Sequence, residues 1–120
     1  MANQLNELVQ RLTAAQPVEC SRPSKTAKSL KECIDRDYVH IMFKNTGTEL
    51  GVQLNKEECS LSEADFEQGS GSVKLVGYLT LNYDKVKCIA TIDLTTCEGD
   101  GHLEAVTKEQ YDQVMASVIG

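Results

Sequence analysis

Asp93, Asp100 and His102 lie close together in "DLTTCEGDGHLE" (93–104), and that combination can do acid–base chemistry. Two carboxylates sharing a proton are the working pair of an aspartic hydrolase. An imidazole beside them can carry the proton on. Asp93 follows an apolar strand, and Glu98 and Glu104 add carboxylates around it. Glycine-rich acidic loops can also hold a divalent cation. Here the oxygen-bearing residues do not recur at calcium-loop spacing, so a metal is not expected. The plainer reading is a polar hairpin loop whose carboxylates face water.

The second cluster is basic. In "SRPSKTAKSLKECIDRD" (21–37), lysines open a helix and carboxylates close it, against the preference of the helix dipole. Ser24 has the character of an N-cap. Helix N-termini offer free N–H groups to anions. Arg22, Ser24, Lys25 and Lys28 therefore form a candidate ligand site for a phosphate, a carboxylate or an acidic protein surface, a second copy of the chain included. The alternative is a solvated lysine face with a weak, screened penalty.

Five cysteines stand at 20, 33, 59, 88 and 97. The number is odd and no C-x-x-C occurs, which does not suit a secreted disulfide scaffold or a zinc knuckle. A thiol or metal sensor is a third, weaker reading, resting on Cys20 beside Arg22. No cofactor is implied.

The whole chain narrows the field. Its net charge is -6 and its pI about 4.8, which argues against general nucleic-acid binding and adhesion to anionic membranes. The charge is uneven. Residues 1–44 carry seven Lys/Arg and five Asp/Glu, whereas 45–120 carry five and thirteen. "MANQLNELVQRL" lacks the apolar stretch of a signal peptide. No apolar run is long enough for a membrane span. The expected location is cytoplasmic.

Periodicity supplies the elements. Leu5, Leu8, Val9 and Leu12 recur at helical spacing within 3–15. "PVECSRP" (17–23) reads as a connector. Ala27, Leu30 and Ile34 give a second helix its apolar face. Val39, Ile41 and Phe43 alternate, and so do Leu50, Val52 and Leu54 after the "NTGT" turn, predicting a hairpin. "SEADFEQ" can form a short helical turn, and "GSGS" a flexible tip. Strands follow over 73–83, 86–94 and 102–106, separated by a turn at 84–85 and a loop over 95–101. Thr107 and Gln110 make a capping-box pattern, and Tyr111, Val114, Met115 and Val118 line a closing helix.

The sequence thus predicts a single α+β domain over 1–120. It holds a mostly antiparallel meander of about five strands, two N-terminal helices and one C-terminal helix. The helices are expected to bury the face bearing Val39, Ile41, Leu50, Val52, Leu79, Leu81, Ala90 and Ile92. The functional expectation is a non-enzymatic cytosolic binding protein that forms homo-oligomers and meets an anionic ligand or acidic partner through 21–31. The alternative is a small hydrolase using Asp93, Asp100 and His102.

Overall fold

Alternating apolar residues force the strands to hide one face, and the sheet does so by closing on itself. The computed structural model describes residues 7–21, 24–81 and 84–119. In chain order the elements are α1 (Glu7–Arg11), β1 (Gln16–Glu19), α2 (Ala27–Asp35), β2 (Tyr38–Phe43), β3 (Thr48–Leu54), β4 (Ala64–Asp65), β5 (Ser70–Leu81), β6 (Asp84–Asp93), β7 (Glu98–Ala105) and α3 (Lys108–Ile119). The strand order is β3-β2-β1-β7-β6-β5-β4, and β3 also pairs with β5. That extra pairing closes β3, β2, β1, β7, β6 and β5 into a six-stranded antiparallel barrel, with β4 outside it on β5.

The mixed architecture, the antiparallel pairing and the three helices agree with the sequence reading. The simple five-strand meander does not, because β1, β4 and the closure lay outside it. "PVECSRP" is not all connector. Gln16, Val18 and Cys20 alternate inward, and β1 pairs with both β2 and β7. "SEADFEQ" forms turns and the two-residue β4 instead of helix, and Ser70 to Ser72 of "GSGS" begin β5. The 95–101 loop shrinks to a turn, so Glu98 and Asp100 belong to β7. Asp84 and Lys85 belong to β6.

Closure changes what buries the apolar face. Val39, Val52, Val86, Cys88 and Ile92 point inward and are wholly buried against one another. Helices cover only parts of this core. Val9 and Leu12 come in from the α1 segment, and Leu30, Cys33 and Ile34 from α2. Leu79 and Leu81 are half-buried at its margin. Leu5 lies outside the described residues, as do the side chains of Leu8, Met115 and Val118.

The seam is short. β3 meets β5 through Gln53–Tyr78 and Leu54–Gly77, whereas β5 and β6 run paired from Ser72–Asp93 to Leu81–Asp84. Asn55 N–H continues the seam by donating to the Val76 carbonyl at 2.9 Å. The Asp37 carbonyl accepts from the Leu54 N–H (2.8 Å) and from the Gln53 side chain (2.9 Å), anchoring that end of β3 to the link between α2 and β2. The backbones approach so closely that a Cβ on Gly77 would lie 2.3 Å from Val52 Cγ1 and 2.5 Å from the Gln53 carbonyl oxygen.

This crowding sets the sign of a substitution. Alanine for glycine in a strand ordinarily helps by about 0.4–1 kcal/mol through the unfolded chain. Gly77→Ala is expected instead to cost about 1–3 kcal/mol, as overpacking does. Denaturant unfolding checks this, and a gain in stability would mean that the seam is looser than described.

Candidate functional site

The basic stretch finds its anions within the chain. The helix begins at Ala27, with Thr26 and not Ser24 as N-cap: Thr26 Oγ1 accepts from the Ser29 N–H at 3.1 Å. Lys25 therefore precedes α2. It pairs with Glu98 on β7 and with Glu19 on β1, and Lys44 just after β2 joins the same two carboxylates. The register places Glu19 directly opposite Glu98, so two like charges sit side by side and two lysines bridge them. Hydrogen bonds from Lys25 and then Lys44 bring the Glu98 carboxyl from its ordinary 4.5 down to about 2. Lys28 is exposed on α2, and Ser24 Oγ lies 3.2 Å from Thr26 Oγ1. Arg22 lies outside the described residues.

The candidate acid–base residues all face outward. Asp93 is opposite Glu98, Asp100 opposite Thr91 and His102 opposite Ile89, so the register does not pair Asp93 with Asp100. Both aspartates are exposed. Asp93 accepts from the Thr95 N–H at 2.7 Å, which shapes the turn into β7. His102 Nε2 lies 3.0 Å from Glu104 Oε2 on the same strand face. Four of the thiols are buried and Cys59 is half-buried. Burial pushes the Cys88 thiol up to about 12 and the Cys20 thiol higher still, so both stay protonated at neutral pH. Among the described residues, no group of three or more His, Cys, Asp or Glu could hold a metal ion.

Sequence reading did not find a polar hub at Glu58. Its carboxylate accepts from Tyr78 Oη (2.8 Å), Asn55 Nδ2 (2.8 Å) and Lys87 Nζ (2.9 Å). Partial burial raises its pKa, but the bonds from Lys87, Tyr78 and Asn55 outweigh burial and hold it below the usual carboxylate range. The hub borders a concavity of about 410 Å³ between the barrel and α3, where Val106 and Val114 add apolar wall. The capping box at its edge is formed in both directions: Thr107 N–H donates to Gln110 Oε1, and Gln110 N–H to Thr107 Oγ1, each at 3.0 Å.

Parts of the outer wall are occupied, and the open β6–β7 face is lined mostly by polar residues such as Thr91, Asp100 and His102. The 55–60 segment lies on β5 and buries Val76 and Tyr78 there. The Lys25–Glu98 lattice covers the β1 and β7 ends, and α3 flanks β6. The outer face of the β2–β3 hairpin is different. Tyr38, His40 and Met42 alternate outward on β2, opposite Gln53, Gly51 and Glu49 on β3. Tyr38 is 44% exposed, high for so large an aromatic. Its ring meets that of His40 edge-on at 5.4 Å between centroids. It also lies across Gly51, where a Cβ would come within 1.9 Å of Tyr38 Oη. A strand surface bearing Tyr38 and Met42, with its ion pairs kept to the margin, carries residue types enriched at protein interfaces.

The fold is a filled antiparallel barrel with an open hairpin face, and the class of the protein comes from comparison with known families. The chain belongs to the core binding factor beta subunit family, which matches it over residues 22–119. That family comprises non-enzymatic partner subunits of RUNX transcription factors. No curated protein matches the chain.

Family membership corrects several expectations. The hydrolase, the thiol or metal sensor and the cytosolic oligomeric anion binder are all replaced by a transcription-factor partner subunit. A heterodimeric role replaces the homo-oligomer. Nucleic acid re-enters through RUNX proteins, which bind DNA, and the nucleus replaces a cytoplasmic-only location. The spacing of lysines and carboxylates misled because the partners of Lys25 (Glu19 and Glu98) lie on β1 and β7 and not within the helix.

The lattice makes a pH prediction. A carboxyl depressed on folding contributes stability that is present above about 4.5 and lost as pH falls toward about 2. Glu98→Gln is therefore expected to flatten the acid limb of the melting-temperature profile between those values. An unchanged limb would show that the lattice contributes nothing to stability.

Proposed function

We propose that this chain is the non-DNA-contacting partner of a RUNX-type transcription factor, and that the outer face of the β2–β3 hairpin docks that partner. The family match over 22–119 supports the partner class. The exposed Tyr38–His40–Gly51 surface supports the location.

The physical logic is division of labour. A chain of net charge -6 is poorly suited to neutralising phosphates, but it is attracted over distance to a basic DNA-binding domain. Affinity then rests on a small desolvated centre. Tyr38 supplies a rigid aromatic anchor, and Gly51 leaves room for its ring to lie flat against β3. Met42 adds a polarizable edge. Asp93, Asp100 and His102 on β6 and β7 belong to the surrounding polar surface, and so do Ser24, Lys25 and Lys28. The closed barrel, within a single domain over 1–120, serves as the rigid support for this face.

Tyr38→Ala and Gly51→Leu are each expected to weaken binding to a RUNX DNA-binding domain by about tenfold or more, as loss of an interface anchor does. Glu109→Ala, on the exposed side of α3, is expected to leave it unchanged. Isothermal titration calorimetry reads all three, with thermal melts to confirm folding. If the unsubstituted chain does not bind, the partner class is wrong. If it binds and the hairpin variants bind equally well, the location is wrong.

A further inference from the structure

The segment between β3 and β5 carries a chemistry that partner docking does not use. Residues 56–69 cross the outside of β5 with few backbone ties. The clearest are the isolated bridge of Ser60 with Lys74, made by two backbone hydrogen bonds of 2.9 Å, and the short β4. Next to the bridge, Cys59 Sγ accepts from the Val76 N–H at 3.2 Å. Ser60 and Ser62 are exposed, their hydroxyl oxygens 3.3 Å apart. Leu61 between them is 40% exposed. The carboxylates of Glu63, Asp65 and Glu67 follow, all on exposed residues.

A hydroxyl in an exposed, turn-rich segment with carboxylates after it suits a serine/threonine kinase whose substrate groove is basic. The receiving side is ready as well. Every described lysine except Lys28 and Lys74 has a side-chain ion pair or ring contact with another residue. Lys74 is exposed, and the bridge sets it directly opposite Ser60. Directly opposed residues of an antiparallel pair have side chains on the same face with Cβ atoms about 4.5–5.5 Å apart.

We propose that Ser60 is a phosphorylation site for an acid-directed serine/threonine kinase, and that its phosphate closes onto Lys74. In the transfer, Ser60 Oγ bonds to the γ-phosphorus of ATP as the bond from that phosphorus to the β–γ bridging oxygen breaks. ADP leaves, and the hydroxyl proton passes to the kinase's general base. The new charge pairs across the bridge with Lys74, a charge-assisted contact that fastens the 56–69 segment to β5. The same segment holds Glu58, so phosphorylation firms the hub beside α3.

The test treats the full chain with ATP and a kinase that selects acidic sequences, then maps phosphate by peptide mass spectrometry. Ser60→Ala is the control. Phosphorus-31 NMR of the modified chain follows the phosphate's second ionisation, ordinarily near about 6. The expected result is phosphate on Ser60, with a midpoint that rises by about 0.3–0.7 unit in Lys74→Ala, matching one exposed charge pair. Phosphate on Ser62 or elsewhere without Ser60, or no incorporation, would overturn the site. A midpoint unaffected by Lys74→Ala would overturn the closure.

Discussion

The pairing of β3 with β5 is what the rest of the molecule depends on. Among the described residues Gln53–Tyr78 and Leu54–Gly77 are its two residue pairs, yet they turn a curled sheet into a closed barrel. Closure lets each strand bury its apolar face against other strands, so an aliphatic sequence with no Trp and two Phe can still fill a core. A side chain at residue 77 is costly because it would crowd the Gln53 carbonyl and the Val52 side chain across the seam. It is pinned from outside by the Asp37 carbonyl, which joins the end of β3 to the start of β2.

With the interior given to packing, recognition must occur on the outer wall, and the chain apportions that wall. Residues 55–60 cover Val76 and Tyr78 on β5, which is why that strand is buried on both faces near its middle. Two lysines hold Glu19 and Glu98 together across β1 and β7. The hairpin keeps Tyr38 exposed above Gly51, with polar and charged residues around it. A partner that buries this surface gains aromatic area without first displacing an element of the chain. The hairpin's twist is fixed by its pairing and by the seam at its far end, so the face is preorganised, and less ordering cost opposes association.

Much of the fold was legible in the residues. The alternation of Val39–Ile41–Phe43, Leu50–Val52–Leu54 and Val86–Cys88–Ala90–Ile92 reports local geometry, and the Thr107–Gln110 box reports a local bond. β1 was hidden because it is only four residues long and carries Pro17, a residue that usually marks a break. The first half of β7 was hidden because its glycines and acids suggest a loop, whereas its second half was read as strand over 102–106. Gly99 is there because a Cβ would strike the Thr91 carbonyl oxygen of β6, at 1.8 Å. Closure joins residues far apart in sequence, and no local pattern encodes it. The same holds for the charge site: Lys25 and Glu98 stand 73 positions apart, so the lysines seemed to await an outside anion. Tyr38 stands just before the Val39–Ile41–Phe43 alternation, and its exposure was decided only by what the rest of the chain leaves uncovered.

Amide hydrogen exchange with and without a RUNX DNA-binding domain tests the central claim most directly. Residues 38–42 and 49–53 should gain protection in the complex while the exposed side of α3 exchanges as before. Protection gathered on α3 or around Lys25 and Glu98, with the hairpin unchanged, would contradict the account.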